Sequence, residues 1–395
     1  MKDQTALEMG EGIYGVGVKD WDLKIFDALI SLPYGTSYNS YLVKGKQKTA
    51  LIDTVKPIFG QEMIEKIKQV ADPSDIDYLV MNHAEPDHAG SIPVILEMSK
   101  KAVLITSEKG AGMAKLYYNI SEDRIRKVKE GDSIDLGGRT LKFIDAPWLH
   151  WPETMFTYLV EDKILFPCDF FGGHTAAGSY DEDVDELVSY AKRYYGEIMM
   201  PYRMMGKKAM DKVKALDIRM IAPSHGPVYK NPAKIMEPYS KWTSGETKKK
   251  ALLVFVSMWG STAKMIKTMA ETLVSEGVEV IQHDLTTADT GDVAKDLVDS
   301  RAIVLGAPTV LGGMHPLAIY GASLVKALRP PVKYGAFVGS YGWGSCAGKE
   351  AVEILKPAKI EIVGALEVNG PPTAADLSKV VEIGRQLAAK INSEA

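Results

Sequence analysis

A chain of 395 residues is long enough for two domains of ordinary size. With 46% hydrophobic and 25% charged residues it can bury a substantial core, which excludes a disordered protein. A formal net charge of -4 leaves no basic excess, so nucleic acid is not an expected partner. No apolar run approaches the roughly 20 residues that span a bilayer, and the opening MKDQTALEMGEGIY lacks an apolar signal core; a cytoplasmic protein with no membrane partner is expected. The cysteines, Cys168 and Cys346, are too few for a disulfide framework and too far apart for a paired-thiol motif. The chain therefore carries no cysteine-based electron carrier of its own.

Tyr38 to Asp53 holds two apolar runs broken by KGKQK, the pattern of a hairpin. Apolar residues at Ile58, Met63, Ile64, Ile67 and Val70 follow a helical period. The runs IDYLVMNH, AVLITS, TLKFIDAP, FTYLV, KILFPCD and RMIAPSHGP come next, each short, β-rich and ending in a polar loop. Several of these loops carry a His or an Asp, and strand ends are where α/β proteins place sites. The polar stretch SGETKKK at 244–250 reads as a linker between domains spanning 1–246 and 250–395. Beyond it the strands ALLVFV, VEVIQHD, RAIVLGAP, GAFVGS and EIVGALEV alternate with helical stretches, which indicates a doubly wound parallel sheet.

The segment MNHAEPDHAG presents His83, Glu85, Asp87 and His88 within six positions, a density of donors that a structural role does not require. A metal site is the expected use. His150 in PWLHWPE, Asp169 in FPCDF and His225 in APSHGP stand at further loop entries. Singly each is weak, but together they follow the ligand order of the metallo-β-lactamase fold, which would make the N-terminal domain an αββα sandwich. Zinc hydrolases of that fold carry HxHxDH, whereas this chain has HxExDH with Glu85 in place of the second imidazole. A carboxylate there adds negative charge and a hard oxygen donor, which suits iron or manganese better than zinc. With two oxygens, Asp169 can bridge two ions.

HxExDH at 83–88, LHWPE at 149–153, the Asp at 169 and SHG at 224–226 resemble the flavodiiron proteins, and the resemblance spans nearly the whole chain. It implies α/β and α+β architecture in two domains, a metallo-β-lactamase-like sandwich followed by a flavodoxin-like sheet. It implies two iron ions, one held by His83, Glu85 and His150, the other by Asp87, His88 and His225, with Asp169 as the bridge. In some members the equivalent of His88 is turned away. The family reduces dioxygen to water, nitric oxide to nitrous oxide, or both, and members of this length lack a fused rubredoxin domain.

Three loops of the second half fit the flavin mononucleotide (FMN) that the resemblance implies. SMWGST, comprising Ser257, Met258, Trp259, Gly260, Ser261 and Thr262, lies between a strand and a helix, where hydroxyls and backbone N–H groups can surround a phosphate. It contains no GK[ST], so ATP is not expected. Pro308, Thr309, Leu311, Gly312 and Gly313 follow RAIVLGA, and Ser340, Tyr341, Gly342, Trp343 and Gly344 follow GAFVG. Open α/β sheets bind ligands at these carboxyl ends, where glycines admit a flat ring and Tyr341 and Trp343 can wall it in. The family pattern is closer to SYGWSGEA than to the SYGWGSCAG found here.

His174 and Tyr195 are candidate donors to bound gas by the same resemblance, and Trp148 and Trp151 are expected to wall the pocket around His150. Cys168 is expected in the core, pointing away from Asp169 as a strand neighbour would. Two ferrous ions and a reduced flavin together supply the four electrons that turn dioxygen into two waters; two electrons convert two nitric oxide molecules to nitrous oxide and water. The resemblance implies a head-to-tail homodimer, or a tetramer built from it, and rubredoxin or reduced coenzyme F420 as electron donor. The alternatives are a zinc metallo-hydrolase fused to a flavodoxin-like domain, and an electron-transfer module whose metal site is closed and structural.

Overall fold

The computed structural model of the chain describes residues 5–393; residues 1–4 and 394–395, the outermost ends of the two expected domains, lie outside the described residues. The chain divides into two compact units, Met1–Tyr195 with Tyr202–Ser240, and Gly196–Pro201 with Lys241–Ala395. The boundary falls inside the helix Ala233–Ser244, and the lysines of the expected linker open the strand Lys248–Phe255. Lys250 explains the difference: it is buried and paired with Asp299, so a charged run that looks solvated is drawn into a sheet.

The first unit is built on two sheets. One has seven strands in the order Leu7–Gly10, Ile13–Gly15, Tyr41–Lys44, Thr49–Ile52, Tyr78–Val80, Val103–Ser107 and Ile125–Val128. It is antiparallel up to Thr49–Ile52 and parallel from there on. The other runs Ser133–Asp135, Thr140–Asp145, Met155–Leu159, Ile164–Phe166 and Met220–Ile221, antiparallel except for its last pair. Val43, Ile52, Val80 and Ile105 from the first sheet meet Leu141, Phe143, Met155 and Phe166 from the second in one buried cluster. With the helices Gly60–Lys68, Glu108–Tyr118, Leu187–Tyr194 and Arg203–Lys214 in the connections, this is the αββα sandwich expected from the ligand order. The KGKQK hairpin and the strands expected in this half are all present.

One polar network ties the two sheets together beside the future site. Asp53 accepts the backbone N–H of Asn82 at 2.8 Å and its side-chain amide at 3.0 Å. Thr157 donates to the Asn82 side-chain oxygen at 2.7 Å, and Met155 N–H donates to the Asn82 carbonyl at 3.0 Å. Asn82 immediately precedes His83, so the strand end that begins the HxExDH loop is pinned from both sheets. Burial pushes the Asp53 carboxyl up to about 6.

The second unit is a parallel sheet in the order Glu279–Asp284, Lys248–Phe255, Ser300–Val310, Tyr334–Tyr341 and Glu361–Asn369, with Gly313–Met314 folded back on the end of the third. In chain order this is 2-1-3-4-5, the flavodoxin-like winding expected from the alternating pattern. Its central strands are buried on both faces, as a parallel sheet covered by helices requires. The three loops singled out in the sequence follow the first, third and fourth strands of this unit and therefore share one edge of the sheet.

Close backbone packing shapes the first unit near Ser37 and Ser40. A methyl group on Gly17 would meet the Tyr38 carbonyl oxygen at 2.2 Å and the Asn39 Cα at 2.6 Å. Gly17→Ala is therefore expected to destabilise the protein by about 1–3 kcal/mol, the usual penalty of overpacking; urea denaturation of the purified variant would measure it.

Candidate metal centre and flavin edge

Four segments deliver the polar cluster. His83 and Glu85 stand two residues apart just before a short helix, and their side chains converge, His83 Nε2 lying 3.1 Å from a Glu85 oxygen. Pro86 then opens the short helix Pro86–Ala89, which turns Asp87 and His88 inward. His150 comes from the loop before Met155–Leu159, Asp169 from the turn after Ile164–Phe166, and His225 from the loop after Met220–Ile221. The last two strands are parallel neighbours, which puts Asp169 and His225 at the same end of the sheet.

The seven side chains form two sets. In one, Nε2 of His83 and Nε2 of His150 each lie 3.1 Å from the same Glu85 oxygen. In the other, Nε2 of His88 and of His225 each lie 3.3 Å from an oxygen of Asp87. Asp169 sits between them. Its Oδ2 is 3.5 Å from His83 and 3.4 Å from His150, while its Oδ1 is 3.0 Å from His88 and 3.4 Å from His225. The ligand atoms within each set lie within 4.8 Å of one another. All four rings thus aim Nε2 at carboxylate oxygens, and His88 faces the cluster here.

This arrangement fits two cations. Both oxygens of Asp87 and of Asp169, and Nε2 of His88, are buried and make no well-aligned hydrogen bond among the described residues. Buried carboxylates left so are costly unless a cation completes them. The chemistry of the bare cluster agrees. Burial alone depresses an imidazole, yet the carboxylates more than reverse it, raising His83 and His150 to about 10 and His88 to about 9. Burial alone raises a carboxylate, yet the facing imidazoles hold Glu85 and Asp169 far below the usual range. Protons stand in for metal at this cluster.

Around the ligands the structure adds residues that sequence reasoning did not single out. Glu153 meets Nδ1 of His83 at 2.7 Å, and His225 donates from Nδ1 to the Ser37 carbonyl at 2.6 Å. His174 is buried 4.8 Å from the His225 ring, with Nδ1 2.9 Å from the Thr36 hydroxyl and Nε2 without a partner. Burial first, and His225 second, hold His174 well below its ordinary value, so it is neutral. The tyrosine beside it is Tyr194, 4.8 Å from His174 and 5.7 Å from His225; Tyr195 instead packs edge-on to Tyr239. Both tyrosines are buried, but the α-helix gives way at Tyr195 to the π-turn Tyr195–Met199, and the Tyr195 ring packs against Tyr239 rather than His174. Trp151 lies edge-on to His83 at 5.1 Å, whereas Trp148 is partly exposed, with the Lys109 ammonium over its ring. Cys168 is buried as expected, but for a different reason: it sits in a turn at φ 49°, near His88 and Asp169 rather than pointing away from them. Burial and Asp169 push its thiol well above the ordinary range, and Ser224 donates to its sulfur.

In the second unit Gly260, at φ 86°, turns the chain into the helix Ser261–Ser275, and Ser257 accepts the Ala263 N–H at 3.1 Å. Thr262 and Ser340 lie 3.3 Å apart, so two of the three loops meet. Leu311 and Gly312, both at positive φ, form the tip of the hairpin between Thr309 and Met314. A methyl on Gly342 or Gly344 would meet nothing, and Trp259, Leu311 and Trp343 are 90%, 96% and 100% exposed. Large apolar side chains held bare around open glycines, beside the start of a helix, fit a flat ring carrying a phosphate.

Comparison with known proteins bears on both halves. Residues 36–226 match the ODP family beta lactamase and residues 253–384 the flavodoxin family. A nitric oxide reductase of Moorella thermoacetica is 40% identical over 390 residues, covering 96% of this chain and 98% of the relative. A coenzyme F420H(2) oxidase of Methanothermobacter marburgensis is 36% identical, covering 98% and 99%. A flavo-diiron protein of Clostridium acetobutylicum is 35% identical, covering 98% and 100%. Among solved structures, the rubredoxin oxygen:oxidoreductase of Desulfovibrio gigas superposes with a TM-score of 0.95 at 29% identity, covering 98% of this chain and 99% of that one.

Two measurements follow from the cluster. Asp169→Asn should lower metal occupancy at both positions, whereas Asp87→Asn should lower it at one; elemental analysis of the purified variants distinguishes them. Metal must displace protons from imidazoles raised to about 9 and 10, so affinity should rise steadily from pH 6 to pH 8.5, with proton release on loading. A chelator-competition titration of the metal-free protein across that range would record it.

Proposed function

The chain belongs to the flavodiiron family, and from that premise we propose that it reduces dioxygen to water, nitric oxide to nitrous oxide, or both, at a non-haem di-iron site with electrons passed through FMN from an external donor. The observation that carries this reading is the placement of Asp169, one oxygen toward each set, with Glu85 where a zinc hydrolase has an imidazole. Three carboxylates among seven donors favour iron over zinc. The bound iron supplies gas binding and electron transfer, and the bound flavin stores electrons.

The protein's own residues do the rest. His83, Glu85 and His150 would hold one ion, Asp87, His88 and His225 the other, with Asp169 shared. Neutral His174, its Nδ1 occupied by Thr36, offers Nε2 toward the pocket. Tyr194, whose hydroxyl burial pushes well above the ordinary range, offers an O–H that stays protonated. Phe26, 5.0 Å from His174, and Trp151 exclude water from the flanks. Ser257 to Thr262 would take the flavin phosphate, with Pro308, Thr309, Leu311 to Gly313 and Ser340 to Gly344 around the ring.

Electrons must cross from flavin to metal, and we propose that a head-to-tail homodimer brings the two together. Exposed apolar side chains on each unit support it: Ile25 and Leu29 on the hairpin that carries Phe26, and Trp259, Leu311 and Trp343 at the flavin edge. Rubredoxin and reduced coenzyme F420 are the proposed classes of donor, from the names of the relatives. No helix among the described residues is long and apolar enough to cross a membrane.

Protein purified from its own host is expected to hold two irons and one FMN per chain, and with a chemically reduced donor to consume dioxygen or nitric oxide at an electrode. Zinc without iron, or no consumption of either gas, would overturn the reading. Tyr194→Phe should lower turnover by about tenfold or more with iron content unchanged, the effect of losing one hydrogen bond to a charged group, while Tyr195→Phe should change it less.

A further inference from the structure

Glu153 has no part in either ligand set, yet it is a fully buried carboxylate. Its Oε1 accepts the Nδ1–H of His83 at 2.7 Å and the N–H of Ala84 at 2.8 Å. Its Oε2 is buried with no partner among the described residues. A buried carboxylate with one bare oxygen is an expensive way to satisfy two donors; a neutral amide oxygen would serve them at lower cost. The charge therefore has a use beyond packing.

His83 is held at both nitrogens. Because Nδ1 faces Glu153, its hydrogen stays on Nδ1, and it is Nε2 that would give up its proton and turn a lone pair to a cation in the cluster. The two imidazoles of the other set are backed differently. His225 donates from Nδ1 to a neutral carbonyl, that of Ser37, at 2.6 Å. Nδ1 of His88 is buried with no partner among the described residues. So the set with Glu85 has a carboxylate-backed imidazole, and the set with Asp87 has none shown. Glu153 also follows His150 by three positions in the same loop, and Ser107 anchors it by donating to the Glu153 carbonyl at 2.7 Å. One loop thus delivers both a ligand and the support of its neighbour.

Resting on the di-iron reading above, we propose that Glu153 is a positioning residue that acts through His83: it fixes the tautomer and makes the ion on the Glu85 side the more electron-rich of the two. A carboxylate drawing on Nδ1–H gives the ring partial imidazolate character, which strengthens Nε2 as a donor and favours the higher oxidation state. The ion on the Glu85 side therefore has the lower reduction potential of the pair.

Two variants test this in the full-length protein. Glu153→Gln keeps an acceptor oxygen for His83 and Ala84 but removes the charge. It should keep two irons and the wild-type melting temperature, raise the midpoint potential of one iron in a redox titration, and shift one of two Mössbauer doublets. Glu153→Ala should weaken one iron by about 10–100-fold in chelator competition and leave the other unchanged. Unaltered potentials in Glu153→Gln, or equal weakening of both irons in Glu153→Ala, would overturn the proposal and leave Glu153 a structural residue. Wild-type protein that holds fewer than two irons would overturn the di-iron reading itself, which separates the two failures.

Discussion

Asp169 lies between four imidazoles with both oxygens buried, and the rest of the first unit can be understood as the means of keeping it there. A carboxylate in such a place is stable only if positive charge surrounds it on both sides. His83 and His150 must approach one oxygen, His88 and His225 the other, and they come from distant parts of the chain. A sandwich whose loops gather at one end of its strands meets that demand, because each strand end can be pinned independently of the next. The Asp53–Asn82–Thr157 network does this for the loop of His83, and the parallel pair Ile164–Phe166 and Met220–Ile221 does it for Asp169 and His225.

The second unit solves the opposite problem. Its core is closed on both faces of a parallel sheet, and the large side chains that would normally add to such a core are displayed instead. Trp259, Leu311 and Trp343 are left almost wholly in water at one sheet edge. Apolar surface of this kind is unfavourable until something covers it, so the flavin edge has a standing driving force to bind a flat ring.

Much of this was legible from residue order. The ligand types and their spacing point to the cluster because seven donors at strand ends have no structural use, and the clean alternation after residue 250 points to the winding of the second sheet. What escaped was set by three-dimensional context. Tyr194 and Tyr195 are chemically identical and equally buried, and only their ring partners, His174 for one and Tyr239 for the other, tell them apart. Cys168 looks like the next residue of a strand, but the strand ends at Phe166 and a left-handed turn carries the thiol toward the cluster. The lysines at 248–250 look like a linker until Asp299, some fifty positions on, supplies a buried counter-charge. Glu153 stood in plain view within LHWPE, but its partner is an imidazole 70 residues earlier.

Charge counting shows why a carboxylate behind His83 matters at this site in particular. With neutral imidazoles, Glu85, Asp87 and Asp169 contribute three negative charges against four positive ones from two divalent ions, leaving a net of +1. Glu153 brings that buried group to zero. In a medium of low dielectric an uncompensated charge is strongly penalised, so the neutral frame holds the reduced state at little electrostatic cost. The negative charges of Glu85, Asp87, Asp169 and Glu153 would offset still more of the positive charge of an oxidised pair of ions. The zinc-hydrolase pattern, with an imidazole in place of Glu85, would begin one positive charge higher and would resist oxidation. Glu85 and Glu153 thus act in the same direction, one as a ligand and one through a ligand, and both do so on the same side of Asp169.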